Sequence, residues 1–251
     1  MKGIFYPFEI QAGGGEDIIK SDTPPSDTSK FWFNTKDYKF YFYDNATAKW
    51  YPLGQRPPLP VTLDILGDGS CDSLFQFENN LDDDGGVLTA TGNDKVIYTD
   101  GVNGRGVLFD TNQNPKSFIK IEKDAPLYLT FWVCLKASNG NNKYILDNRG
   151  AGLNGKSYIY YRNYLGKGGI NKLVTLHDDN KTDVPINTWV FFYVEITKDC
   201  AGFGLGNYTR RPSSRYSMNG IIDQVRVFNR ALTDDEINEV FEAEKSKFLG
   251  E

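Results

Sequence analysis

The sequence predicts an all-β protein: a two-sheet antiparallel sandwich with one short C-terminal helix, preceded by a small N-terminal β-meander. Three observations predict it. Aromatic residues make up 14% of the 251 residues (17 Phe, 15 Tyr and 4 Trp) and are set among 25 Gly and 11 Pro, a composition of strands and turns rather than helices. Apolar and polar residues alternate in one stretch after another, the period of a half-buried strand. The clearest helix signature stands at the C-terminus.

The first 60 residues form their own unit. Gln11–Glu16 is a Gly-rich break, and Ser21–Thr28 is polar and contains Pro24-Pro25, so it is expected to run extended. Lys30–Gly54 reads as three short strands with turns at Asn34–Asp37 and Asp44–Thr47. Both faces of these strands are apolar: Phe31 and Phe33 alternate with Trp32, and Phe40 and Phe42 alternate with Tyr41 and Tyr43. So small a meander is not stable alone. Its cover is either the neighbouring domain or identical meanders from other subunits. Phe31, Trp32, Phe33, Tyr41, Tyr43 and Trp50 are therefore the expected anchor and oligomer interface. Gln55-Arg56-Pro57-Pro58-Leu59-Pro60 is a semi-rigid linker. It divides the chain into 1–60, an anchoring and oligomerisation segment, and 61–251.

From residue 61 strands and turns follow at short intervals. Leu127–Lys136 places Leu127, Leu129, Phe131, Val133 and Leu135 on one face and Tyr128, Thr130 and Trp132 on the other. Trp189–Thr197 repeats the device with Val190, Phe192, Val194 and Ile196 inward. Further strands are expected at 106–110, 117–122, 143–148, 157–162, 171–176 and 220–228. The pattern is that of two packed sheets. Thr233-Asp234-Asp235-Glu236 is a capping box that opens a helix with an acidic first turn. Ile237, Val240 and Phe241 give that helix one apolar stripe.

Charge and special residues narrow the function classes. A net charge of −5 and a pI near 5.1 disfavour a nucleic-acid partner. No apolar run approaches the ~18 residues of a membrane helix, so membrane insertion is not expected. The N-terminus is broken by Pro7 and Glu9 and does not read as a secretory signal. Cys71, Cys134 and Cys200 have no metal-ligand spacing and read as small buried residues. The single histidine, His177, lies in an expected turn at Leu176–Asn180 and excludes two-histidine zinc motifs. No G-x-S-x-G nucleophile elbow is present.

Two stretches carry a family resemblance. Gly220–Ile237, with Ile222-Asp223-Gln224-Val225-Arg226-Val227-Phe228 at its centre, resembles the closing strand and helix of laminin-G-like (concanavalin A-like) jelly rolls. Phe75–Gly86 resembles that family's opening strand and Asp/Gly loop, and Gly104–Asp110, Leu129–Val133 and Thr188–Phe191 fit its other strands in order. The resemblance covers roughly 72–245 and implies a jelly-roll topology. One departure follows Lys198-Asp199: Cys200–Gly206 comes almost at once, so a strand there is shortened or lost. Residues 23–53, from Thr-Pro-Pro-Ser-Asp-Thr to Lys-Trp-Tyr-Pro-Leu, resemble the short aromatic meanders of tailed-phage fibre, tail and head-fibre proteins. That likeness implies a virion protein, a homo-oligomer with a trimer favoured, whose partners are other virion proteins.

Three kinds of chemistry are weighed on the sandwich. Glycoside hydrolysis needs two carboxylates about 5–10 Å apart. The E-x-D-x-x-E strand pattern of concanavalin-like hydrolases is absent, so no enzyme activity is expected. Calcium is the possible cofactor: Asp223 alternates in register with Ile221, Val225 and Val227 and should point inward, where a carboxylate needs partners. By resemblance Glu78, Asp83 and Asp223 would supply oxygen ligands; the alternative is that Asp223 accepts backbone hydrogen bonds or pairs with an arginine, and Asp82–Gly85 is a plain turn. Sugar binding would use aromatic rings beside loops with polar and charged grips. Asp147, Arg149, Tyr158, Tyr160 and Arg162 are the expected carbohydrate-binding residues, with Asn163 and Tyr164 beside them. Tyr208, Arg210, Arg211 and Arg215 form a basic cluster in the Asn207–Asn219 loop that would meet an acidic glycan, a neighbouring subunit or solvent. The expected function is a non-enzymatic phage virion protein, a fibre or decoration subunit that displays a lectin-like jelly roll to host-surface glycans. The alternatives are a purely structural decoration or cement protein and, less favoured, a glycan-active hydrolase.

Overall fold

The computed structural model describes residues 18–45, 48–53, 61–93, 95–136, 141–150, 152–162, 164–177 and 184–248. The Gly-rich break at 11–16, the linker at 55–60, Asn163 and most of the expected turn after Leu176 lie outside them. The chain divides into two compact units, Met1–Pro57 and Pro58–Glu251.

The first unit is one sheet of β1 (Ile18–Ser21), β2 (Phe31–Asn34), β3 (Lys39–Asp44) and β4 (Lys49–Pro52), in that order. β2, β3 and β4 form the antiparallel meander. Trp32, Tyr41, Tyr43 and Trp50 share one face, with ring centroids 4.7 Å apart for Trp32–Tyr41 and 5.4 Å for Tyr43–Trp50. Phe33 with Phe40 (4.8 Å) and Phe42 with Tyr51 (6.2 Å) line the other. Trp32 is buried and its Nε1–H donates to the Ser21 carbonyl at 3.1 Å. It is thus a packing centre, whereas Phe31, Phe33, Tyr41, Tyr43 and Trp50 are partly exposed. β1, which pairs in parallel with β2, was not expected. Parallel pairing depends on a crossover connection rather than a hairpin, and Ile-Ile-Lys-Ser has no alternation to announce it.

The second unit begins with β5 (Cys71–Phe75), β6 (Ala90–Asn93), β7 (Ile97–Asp100), β8 (Arg105–Phe109), β9 (Phe118–Ile121) and β10 (Leu127–Leu135). It continues with β11 (Lys143–Asp147), β12 (Tyr158–Tyr161), β13 (Leu165–Gly168), β14 (Lys172–Leu176), β15 (Trp189–Ile196), β16 (Phe203–Leu205) and β17 (Gly220–Phe228), then the helix α1 (Asp234–Phe248). Two antiparallel sheets form the jelly-roll sandwich. One has the order β14-β15-β10-β17-β8-β7, with β5 also on β17; the other has the order β13-β12-β11-β16-β9-β6. After Asp199 the next strand is β16, three residues long, within the Cys200–Gly206 stretch.

The core lies between the sheets. The inward faces of β10 and β15 are those expected: Leu129, Phe131, Val133, Phe192 and Val194 pack with Ile119, Ile145, Ile159 and Phe203 of the facing sheet. The outer face of β10 and β15 is buried too. Trp132, Phe191 and Tyr193 are covered by Ile237, Val240 and Phe241 of α1. The capping box forms as expected: the Thr233 N–H donates to Glu236 at 2.8 Å, and the Glu236 N–H donates to Thr233 Oγ1 at 3.2 Å. Beneath the helix, Glu244 accepts from Arg226 Nε at 2.8 Å and from Trp132 Nε1 at 2.7 Å. Arg226 also donates to the Leu63 carbonyl.

One register expectation is corrected. Gln224 has a φ of 50°, and the pairing of β17 with β10 shifts between Thr130 and Trp132. This is a β-bulge. Because side chains alternate with period two, the extra residue reverses the facing of everything after it. Ile222 before the bulge and Val225 and Val227 after it enter the core. Asp223 therefore does not share their face.

Candidate functional site

Three elements assemble the candidate site on the outer face of the β13-β12-β11 sheet. β12 alternates Tyr158 and Tyr160 outward with the buried Ile159 inward. β11 places Tyr144 opposite Tyr160. The 207–216 loop adds Tyr208 and Tyr216, anchored where the Tyr144 N–H donates to the Tyr216 carbonyl at 3.0 Å. The loop is braced by Asn207, whose Nδ2 donates to the Pro115 carbonyl at 3.1 Å.

Tyr144 is the hub. Its ring centroid lies 5.2 Å from that of Tyr208, 5.9 Å from Tyr160, 6.0 Å from Tyr216 and 6.1 Å from Tyr158. Tyr164 extends the patch, 6.2 Å from Tyr160, and is 59% exposed. The hydroxyl contact with Tyr164, together with burial, raises the Tyr160 pKa above the ordinary tyrosine value.

The rings need space on the neighbouring strand, and two glycines of β13 supply it. Gly166 and Gly168 lie opposite Tyr160 and Tyr158. A Cβ on Gly166 would come 2.3 Å from the Tyr160 ring, and one on Gly168 would come 2.5 Å from the Tyr158 ring. Both are far inside van der Waals contact. Gly168→Val is expected to displace the Tyr158 ring: the near-ultraviolet circular dichroism of the tyrosines changes while the far-ultraviolet spectrum is kept, at a cost of about 1–3 kcal/mol in denaturation. An unchanged near-ultraviolet spectrum would contradict this role.

All five expected carbohydrate-binding residues come to this region, but not in equivalent roles. Asp147 is fully buried; it accepts from the Thr209 N–H at 2.9 Å, from the Thr209 hydroxyl and from Arg149 Nε. The Arg149 guanidinium lies 4.0 Å from the Tyr158 ring centroid, 4.7 Å from Tyr208 and 4.8 Å from Tyr144. Asp147 and Arg149 thus form an ion pair whose guanidinium packs on the rings of Tyr158, Tyr208 and Tyr144 through cation–π contacts. Tyr158, Tyr160 and Arg162 face outward. Beside the plate a cleft of about 360 Å³ is lined by Asn141, Asn142, Tyr144, Arg162, Tyr208, Arg215 and Tyr216. Tyr144 and Tyr216 were not singled out in the sequence; the signal that reaches them is the density of tyrosine on adjacent strands and loop.

The expected calcium ligands are not assembled as one set. Asp83 accepts from the backbone N–H groups of Leu74, Gly85, Val87 and Leu88 at 2.8–2.9 Å. Both its oxygens are engaged in holding the 82–88 loop, so it does not fit as a calcium ligand. Asp223 accepts from the Asn103 N–H at 3.1 Å and the Gln224 N–H at 2.7 Å. Burial pushes its carboxyl well above the ordinary range, and the nearby Glu78 charge adds to this. Glu78 accepts from the Arg105 N–H at 2.9 Å. Among the described residues, no three His, Cys, Asp or Glu side chains are grouped to hold a metal ion.

No family model and no curated protein matches the sequence. Solved structures do resemble the fold. The sialidase of Trypanosoma rangeli, in a mutant with trans-sialidase activity, aligns over 87% of this chain and 44% of its own, at 11% identity and a TM-score of 0.50. Domain 4 of AbnA, an extracellular arabinanase of Geobacillus stearothermophilus solved with arabinotriose, aligns over 68% of this chain and 98% of its own, at 17% identity and a TM-score of 0.46. The binding domain of Paraclostridial Mosquitocidal Protein 1 aligns over 69% of this chain and 52% of its own, at 14% identity and a TM-score of 0.49. The chain thus spans about half the length of the mosquitocidal domain and less than half of the sialidase. At these identities the likeness concerns the fold alone.

Proposed function

We propose that the jelly-roll unit binds carbohydrate and does not cleave it. The observation that carries this is the cluster of Tyr144, Tyr158, Tyr160, Tyr208 and Tyr216, whose rings meet partly stacked and partly edge to face, and whose Tyr144, Tyr208 and Tyr216 line a cleft with amide and guanidinium groups. Aromatic faces take the apolar face of a sugar ring, and amides and guanidinium groups take its hydroxyl oxygens. Among the described residues the cleft lining contains no Asp or Glu, whereas glycoside hydrolysis generally needs a carboxylate pair.

In the finer form of this reading the chain is a phage virion subunit, with residues 1–60 as anchor and the jelly roll displayed to host-surface glycans. Its support is the resemblance of residues 23–53 and the meander's two aromatic faces, which an oligomer would cover.

Glycan-array screening of the full chain, followed by calorimetry on the best glycan, tests the reading. Tyr160→Ala is expected to weaken binding by about tenfold or more, as truncation of an aromatic anchor does. Array binding that survives Tyr160→Ala and Tyr208→Ala together would displace the site from this face. An inert chain in every array would favour the purely structural decoration role.

A further inference from the structure

We propose that the cleft selects a sugar bearing an anionic group, a carboxylate or a sulfate, and that Arg162 and Arg215 are the residues that select it. This rests on the carbohydrate reading and goes beyond it by naming the ligand's charge.

The first ground is the pairing of the arginines. Arg105, Arg149, Arg226 and Arg230 each form an ion pair with Asp or Glu. Arg162, Arg210, Arg211 and Arg215 form none among the described residues, and all four are exposed. These four lie in the two loops that flank the tyrosine plate, and Arg162 and Arg215 line the cleft itself.

The second ground is the distribution of acids. The chain holds 33 Asp and Glu against 28 Lys and Arg. Yet from Asn148 to His177 there is no acidic residue, while Arg149, Lys156, Arg162, Lys167 and Lys172 fall within that span. From Cys200 to Ile222 there is again none, with Arg210, Arg211 and Arg215 inside it. Asp147, which precedes the first of these spans and reaches the site, is already paired with Arg149. A net-negative chain thus presents a locally positive cleft. Such a field concentrates anions and repels none of them at the point of contact. The guanidinium fork matches a carboxylate or sulfate with paired N–H donors, whereas a neutral hydroxyl uses one.

The third ground is size. A cleft of about 360 Å³ is at the lower end of small-molecule sites, about 300–1,000 Å³. It suits one charged sugar unit seated beside the tyrosines, with the rest of the chain lying over the plate.

Calorimetry on the full chain with four probes tests this: trigalacturonate, a sulfated galactose trisaccharide, neutral galactotriose and a short oligothymidylate. An anionic sugar is expected to bind at least tenfold more tightly than galactotriose in 50 mM salt, with the ratio narrowing in 500 mM salt. Whichever of trigalacturonate and the sulfated sugar binds better identifies the group. Arg162→Gln with Arg215→Gln is expected to bring the anionic-to-neutral ratio towards one; its fold is checked by circular dichroism. Equal affinity for anionic and neutral sugars would overturn the proposal and leave the carbohydrate reading standing. Tightest binding of the oligothymidylate would overturn it as well. Failure of every sugar, here and on the array, would sink both.

Discussion

Glu244→Ala is expected to destabilise the jelly-roll unit by about 3–5 kcal/mol, read as a lower urea midpoint at unchanged slope. The side chains of Arg226 and Glu244 are 0% and 2% exposed. Removing the carboxylate leaves a guanidinium in a dry site, without its counter-charge, beside the Leu63 carbonyl and the Cys71 thiol. It also orphans the Trp132 indole N–H, which donates to the other oxygen of Glu244. For a unit of this size the loss corresponds to a fall in melting temperature on the order of 10 °C. The pair itself is not a strong source of stability. Arg226 Nη2 has no hydrogen-bond partner among the described residues, and burying both charges carries a desolvation cost that offsets much of their attraction. Arg226→Met combined with Glu244→Leu is therefore expected to recover most of the loss. A single-variant cost below about 1 kcal/mol would mean that water reaches the pair and the helix packs loosely.

Asp147→Ala is expected to cost about 2–4 kcal/mol and to abolish glycan binding. The Asp147 carboxylate joins three parts of the site: the end of β11, which carries it, Thr209 in the neighbouring loop, and Arg149. Without it the guanidinium keeps only its cation–π contacts with Tyr144, Tyr158 and Tyr208, and its side chain, already 22% exposed, can swing to water. The plate then loses its support although no ring has been changed. Asp147→Asn keeps an acceptor for Thr209 but loses the charge. It is expected to fold with a smaller loss of stability and still bind at least tenfold more weakly. Chemical denaturation and calorimetry on the same two variants check both parts, and an Asp147→Asn protein with full affinity would refute the link between the ion pair and the plate.

Much of the sandwich was legible because period-two alternation records which face is dry. Leu129, Phe131 and Val133 declared the inward face of β10, and Thr233 with Glu236 declared the helix start. What sequence could not give was parity across an irregularity. The bulge at Gln224 puts Asp223 on the face opposite Val225 and Val227, and no residue type there requires a bulge. The candidate site was legible as a neighbourhood: Asp147, Arg149, Tyr158, Tyr160 and Arg162 lie close in sequence on a hairpin and its approach. Their roles were not, because which of two charged residues faces water depends on a loop 62 residues later, where Thr209 closes over Asp147. Asp83 shows the same limit from the other side. An acidic run has the same composition whether it binds a cation or four amides.

The two sheets differ in how many of their faces are dry. β10 and β15 are packed on one side by the core and on the other by α1, so a substitution on either face of them is felt by the whole unit. β12 and β13 have only one such face. Their outer face carries the tyrosine cluster and the two glycines that make room for it. This fold therefore divides the reach of a substitution in space: a change in β10 or β15 is felt through two packed layers, a change on the outer face of β12 or β13 through the tyrosine cluster alone.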